Sequence, residues 1–309
     1  MSAREKVAVI GAGVMGHGIC MAFALGGCQV NVADISTESI ARASSRMSAE
    51  FAVLVKNGLV TEEAVKSALG RIDGMTSVAH AVDGAGFVTE SITEEIASKK
   101  RLFRDLDKLC PEDVILASNT STFRIAEIAS ATDKRSRVVG THWWNPPYLM
   151  PLVEVTKGAE TSEAIVDRTR QFLLKIGKVP VVCKDHPGLI GVRLHAALNT
   201  EAVRILEEGL ATAEDIDTTV RMCLGLRWGI LGPLETLDLG GLDVFHDAYQ
   251  NLYRELGDRF GPPELFKQKV ERGELGVKTG RGFYQYTPES VESLIRRRDE
   301  FLVKRLKEL

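Results

Sequence analysis

No run of apolar residues in the 309-residue chain approaches the roughly 20 in succession that a bilayer-spanning helix needs, so no membrane segment is expected. Cysteine is scarce and scattered. Cys20, Cys28, Cys110, Cys183 and Cys223 are odd in number and never stand in C-x-x-C spacing. That excludes a disulfide framework and the common zinc spacings, and reads as reduced thiols in a cytosolic chain with no metal site. Neither sign of charge dominates, since 39 Lys and Arg face 42 Asp and Glu for a net charge of −3. Such a balance exerts no global pull on nucleic acid or an anionic membrane. Internal repeats and low-complexity tracts are missing as well. The opening residues, Met1 to Lys6, lead straight into an apolar strand, which leaves no room for a leader peptide and makes the cytoplasm the expected location.

What is present is an ordinary globular composition, 44% hydrophobic and 26% charged, on a chain too long for a single core. The first half alternates β-rich runs with helical stretches: Lys6 to Ile10, a helix from about Val14, Val30 to Asp34, then a long helix. Further strands are expected at 86–89, 114–117, 138–141, 152–155 and 179–182, for seven or eight in all. This is the rhythm of a mostly parallel sheet covered by helices on both faces, an α/β fold of Rossmann type. At Lys184-Asp185-His186-Pro187-Gly188 a turn-forming cluster gives way to helical periodicity. The expected domains are therefore 1–186, binding a nucleotide, and 187–309, all-helical. A last helix begins at Thr287-Pro288-Glu289, an N-cap followed by proline and an acid in the first turn.

The first strand runs into Gly11-Ala12-Gly13-Val14-Met15-Gly16, and a helix follows. A G-x-G-x-x-G string in that setting lets backbone approach a pyrophosphate while the helix N-terminus offers unpaired amides and partial positive charge. Asp34 ends the second strand, 23 residues after Gly11. A carboxylate there accepts from both ribose hydroxyls of adenosine and repels a 2′-phosphate, which favours NAD over NADP.

Two polar segments follow later strands, where open α/β sheets bind their ligands: Ala117 to Thr122, and Gly140 to Pro147. Pro151-Leu152-Val153-Glu154-Val155 then places an acid inside an apolar strand, which is costly unless the acid is paired. His142 at the neighbouring strand end is the natural partner. Taking a hydride from an alcohol requires a base for the hydroxyl proton, and imidazole suits that task near neutral pH. His142 is thus the expected base, Glu154 its orienting partner and Ser121 a hydrogen-bond contact to the reacting oxygen.

These residues resemble the L-3-hydroxyacyl-CoA dehydrogenase superfamily, which includes 3-hydroxybutyryl-CoA dehydrogenases. The resemblance covers almost the whole chain: GAGVMG, SNTS followed by HWWNP at the spacing of Ser121 to His142, LVEV bearing Glu154, GPLETLDLGGLD from Gly232 and GVKTGRGFYQY from Gly276. It implies a Rossmann-type NAD domain, a helical domain and a homodimer. It also implies cofactor contacts at Gly11, Gly13, Val14, Met15, Gly16, Asp34, Glu94, Lys99, Asn145 and Lys278, and catalysis by Ser121, His142 and Glu154. The reaction implied is NAD-dependent oxidation of a 3-hydroxyacyl-CoA. Several positions depart from the family pattern. Val192 stands where the family carries a substrate-orienting asparagine, and Glu50 and Asn57 fall near its CoA contacts, where an acid opposes a CoA phosphate. Trp143 and Trp144 replace a phenylalanine pair and read as core. The loop from Gly225 to Leu231 resembles instead the λ-crystallin and L-gulonate 3-dehydrogenase branch, and a relative acting on a pyridine-ring intermediate, with Arg227 as a candidate carboxylate clamp. The alternative expectation is therefore a CoA-independent dehydrogenase of a free hydroxy acid or ring carboxylate. A non-catalytic, crystallin-like NAD-binding protein is the third reading.

Overall fold

A computed structural model describes residues 5–225 and 285–307, with isolated positions between them. The chain divides into two compact units, Met1–Val192 with Arg298–Leu309, and Arg193–Arg297. The first unit carries one eight-stranded sheet.

In chain order its strands and helices are β1 (Lys6–Ile10), α1 (Val14–Leu25), β2 (Gln29–Ala33), α2 (Thr37–Lys56), α3 (Glu62–Leu69), β3 (Ile72–Met75), α4 (Val78–Val82), β4 (Phe87–Glu90), α5 (Ile96–Leu109), β5 (Ile115–Ser118), α6 (Ile125–Ala129), β6 (Val138–Trp143), β7 (Leu152–Lys157), α7 (Glu163–Lys175) and β8 (Val179–Lys184). The sheet order is β3-β2-β1-β4-β5-β6-β7-β8. All neighbouring strands run parallel except β6 and β7, whose connection from Trp144 to Pro151 is too short for a crossover helix and returns the chain antiparallel. β3 escaped the sequence reading because its four residues, Ile-Asp-Gly-Met, put an acid and a glycine in the middle of an edge strand.

Alternation along the strands builds two cores. Val7 and Val9 of β1, Val30 and Val32 of β2 and Phe87 of β4 join the buried faces of α1, α2, α3 and α7. Ala8 and Ile10, Val88, Leu116 and Val138 join α4, α5 and α6. Helices thus cover both faces, which is why the central strands read as unbroken apolar runs. Phe23 of α1 anchors the first core, with ring centroids 6.0 Å from Phe87, 5.6 Å from Phe172 and 5.4 Å from Trp143. Truncating it to alanine costs about 3–5 kcal/mol.

Within Arg193–Arg297 the described elements are helical apart from an isolated antiparallel bridge between Arg281 and Gln285. α8 (Ile190–Glu207) leads in, α9 (Ala213–Thr219) follows with Thr212 as its N-cap, and a wider turn continues from Val220 to Gly225. α10 spans Pro288–Leu306, with the Thr287 hydroxyl accepting from the Ser290 N–H at 3.2 Å. The helical periodicity of the sequence also predicts a helix from Leu234 to Leu256, which lies almost wholly outside the described residues.

Candidate active site

The carboxyl ends of the parallel strands gather the candidate residues on one edge of the sheet. At the end of β1, Gly11 has φ +104°, and a Cβ there would lie 2.5 Å from the Ser91 carbonyl oxygen. A Cβ on Gly16 would run into the Gly11 carbonyl. Only glycine fits either place. Gly13 differs, because a Cβ there meets nothing within 4 Å. The space over Gly13 is open, α1 has no side-chain cap, and its first turn holds no acid. Val14 is exposed and Met15 packs against the first core. Asp34 follows β2 and accepts a 2.8 Å hydrogen bond from the Ala12 N–H, so its carboxylate reaches the turn. The turn lies beside the switch point between β1 and β4, where strand order reverses. An open glycine, uncapped helix amides and a carboxylate set against the turn fit a dinucleotide.

Next to it lies a buried ionic cluster. Glu90 ends β4 at 0% exposure and Lys99 of α5 is 1% exposed; Lys99 Nζ is 2.6 Å from Glu90 and 3.1 Å from Glu94. Glu90 also accepts from the Ser118 hydroxyl at 2.7 Å and the Ile92 N–H at 2.8 Å. Glu94 Oε1 gathers the loop after β5, accepting from the Thr120 hydroxyl at 2.6 Å, the Ser121 N–H at 3.0 Å, the Thr122 N–H at 3.1 Å and the Thr122 hydroxyl at 2.8 Å. Burial alone would raise the Glu94 pKa. The Thr120 hydrogen bond, the Lys99 charge and the Thr122 hydroxyl outweigh it and hold that pKa at about 2. The Ser121 hydroxyl itself makes no hydrogen bond among the described residues. Its loop is tied to β6 by Asn119, whose side-chain oxygen accepts from the Trp143 N–H at 2.9 Å.

His142 and Glu154 face each other across the β6–β7 ladder. His142 Nδ1 is 2.8 Å from Glu154 Oε2. The other oxygen, Oε1, accepts from the Gly191 N–H in the first turn of α8 at 2.8 Å. Burial opposes the Glu154 charge, but His142 and Gly191 hold its pKa below the carboxylate norm. An ionised carboxylate only accepts, so Nδ1 carries the proton and Nε2 keeps its lone pair. No described residue bonds Nε2. The pair can therefore take a proton from a bound hydroxyl and stabilise the resulting imidazolium.

Asn145 is exposed after β6, and Arg227 and Lys278 lie outside the described residues. Three features escaped the sequence reading. Glu90 shows the same signal as Glu154, an acid in an apolar strand. His17 of α1 lies 3.0 Å from Glu50, so that acid is paired; burial lowers the His17 pKa, while Glu50 and the Gly13 carbonyl raise it further, for a net increase. Trp144 is not core. Only Trp143 is, with the Lys178 ammonium 5.5 Å above its ring, whereas Trp144 packs edge-on to His142 at 5.1 Å and 68°.

Sequence comparison matches residues 6–186 to the 3-hydroxyacyl-CoA dehydrogenase NAD binding domain and 188–286 to the 3-hydroxyacyl-CoA dehydrogenase C-terminal domain. The 5-formyl-3-hydroxy-2-methylpyridine 4-carboxylate 5-dehydrogenase of Mesorhizobium japonicum is 35% identical over 97% of this chain and 96% of its own. A solved 5-formyl-3-hydroxy-2-methylpyridine 4-carboxylic acid 5-dehydrogenase, described as an NAD+-dependent dismutase, superposes with TM-score 0.90 at 34% identity, covering 98% of this chain and 97% of that one. The (S)-3-hydroxybutyryl-CoA dehydrogenase of Ralstonia eutropha gives TM-score 0.77 at 35% identity, covering 92% and 100%. The two matched domains, which together span residues 6–286, and relatives at 35% identity over almost the whole chain place it in the 3-hydroxyacyl-CoA dehydrogenase family, as an NAD-dependent dehydrogenase.

Proposed function

We propose that the protein oxidises the hydroxyl-bearing carbon of a compact free carboxylate, a hydroxy acid or a hydrated ring aldehyde, without CoA, using His142 as general base. The observation that carries the chemistry is the 2.8 Å contact between His142 Nδ1 and Glu154, which fixes the tautomer and leaves Nε2 to receive the substrate proton. Ser121, on the loop gathered by Glu94, donates to the reacting oxygen. The Gly11–Gly16 turn would hold NAD, which when bound would supply the hydride acceptor. An aldehyde hydrate presents the same H–C–O–H unit as a secondary alcohol, so one dyad serves both substrates.

The CoA-free reading is supported by the closer superposition on the pyridine-carboxylate enzyme, TM-score 0.90 against 0.77. It is also supported by Val192 in place of the orienting asparagine and by Glu50 near the CoA-contact position, where its side chain lies 3.0 Å from His17. The CoA thioester is the second reading, favoured by 35% identity to the Ralstonia enzyme. Initial rates of NADH formation with L-3-hydroxybutyryl-CoA, free L-3-hydroxybutyrate, L-gulonate and 5-formyl-3-hydroxy-2-methylpyridine 4-carboxylate separate the two. A free acid should be preferred in kcat/KM by at least about tenfold, a difference of about 1.4 kcal/mol; preference for the thioester overturns the reading. His142→Ala should abolish turnover and spare NADH affinity, and comparable loss of both would make His142 structural.

A further inference from the structure

Glu154 joins three elements. It takes the His142 imidazole of β6 on one oxygen and the Gly191 amide at the start of α8 on the other. Trp144 fills the angle between them. Its indole packs against the imidazole with centroids 5.1 Å apart and planes at 68°. Its six-membered ring also lies against Gly191: a Cβ there would overlap Trp144 Cζ2 and stand 3.2 Å from Cη2 and 3.3 Å from Cε2. The indole nitrogen is buried. The histidine ring therefore has a carboxylate at Nδ1 and an aromatic wall beside it, and α8 comes close enough to donate to Glu154 only because residue 191 has no side chain.

We propose that Trp144 is a positioning residue for the His142–Glu154 pair, acting as a wedge against Gly191 that locks the imidazole in its base-competent orientation. The proposal rests on the reading of His142 as the base. A freed imidazole rotates about its side-chain bonds and Nε2 leaves the line of attack, and misplacement of about 1 Å is enough to cost up to about 10²-fold in rate. The indole also favours the ionised form of Glu154, adding to the hydrogen bonds from His142 and Gly191. A phenylalanine at 144 keeps a ring beside His142 but gives up the N–H and the atoms that press on residue 191.

The test combines Trp144→Phe, Trp144→Ala, Gly191→Ala and the double variant Gly191→Ala/Trp144→Phe in the full chain, assayed on the four compounds named above. Trp144→Ala and Gly191→Ala should each lower kcat at least about tenfold, with NADH affinity within about twofold of wild type. Trp144→Phe should lose less, and added to Gly191→Ala it should restore most of the lost kcat, because the smaller ring makes room for the new Cβ. A second readout needs no substrate. The proton resonance of His142 Nδ1–H, identified by its disappearance in His142→Ala, should move in Trp144→Phe and be lost to solvent exchange in Trp144→Ala. Wild-type kcat in Trp144→Ala, failure of the double variant to recover, or an unmoved resonance in both Trp144 variants overturns the proposal. His142→Ala run in parallel keeps the two readings apart: turnover there defeats the base assignment, whereas a dead His142→Ala beside an unaffected Trp144→Ala defeats only the wedge.

Discussion

Replacing Glu94 with glutamine removes one charge while keeping an oxygen that accepts from Thr120, Ser121 and Thr122, so it isolates the electrostatic part of the cluster that holds the Ser121 loop. The Glu94 pKa falls from 4.5 to about 2. At about 1.4 kcal/mol per unit that is a ceiling near 3.5 kcal/mol. The side chain is 36% exposed, so solvent screening reduces the figure to about 2 kcal/mol. The folded-state pKa is depressed, so this stability is present in full above pH 4.5 and is lost as pH falls through about 2. At pH 7 Glu94→Gln should lower the thermal midpoint by about 5 °C. Near pH 3 wild type keeps less than about half of the advantage, and the gap between the urea midpoints of wild type and variant should shrink in proportion. Urea titrations at the two pH values, followed through the emission of buried Trp143, measure that gap. An equal gap at both pH values would show that shape rather than charge is lost. No gap at pH 7 would show that Lys99 is satisfied by Glu90 alone. Either result refutes the reasoning.

The two glycines of the nucleotide turn should fail differently. Gly13→Ala points a methyl into open space, so the NADH dissociation constant should rise about tenfold, or about 1.4 kcal/mol, with thermal stability unchanged. Gly11→Ala meets the Ser91 carbonyl at a positive φ and should cost about 2–3 kcal/mol of stability in urea titration. Asp34→Ser removes the carboxylate that repels a 2′-phosphate, and the ratio of kcat/KM for NAD over NADP should fall at least about tenfold; a wild-type preference for NADP would refute the assignment. Burial lowers the Lys178 pKa from 10.5 to about 8 while its ammonium donates to the Pro147 and Met150 carbonyls. The unfolded chain binds the extra proton between those two values, so stability should rise across that window in wild type. In Lys178→Met that rise should vanish, as thermal midpoints from pH 7.5 to 10 would show.

What the sequence disclosed depended on whether the physical cause is local. The Gly11–Gly16 turn is legible because strand, glycines and helix follow one another within a few residues, and its backbone demands are met on the spot. Glu154 is legible because an acid between valines is costly wherever it occurs, and the cost announces a partner. Glu90 poses the same problem at the end of Phe-Val-Thr-Glu, yet its partner Lys99 is an ordinary-looking lysine in a helix whose charged face hides it; only the fold brings it to 1% exposure. Trp144 was illegible for a related reason. Trp143 ends β6 inside the core and Trp144 stands just beyond the strand, outside the core, so what the second meets is set by the antiparallel return of β7 and the entry of α8 at Gly191. A buried charge or a bulky ring is visible as a cost in the chain itself. What compensates it is a product of sheet register, and at this site the register sets His142 opposite Glu154 and leaves Trp144 to hold them there.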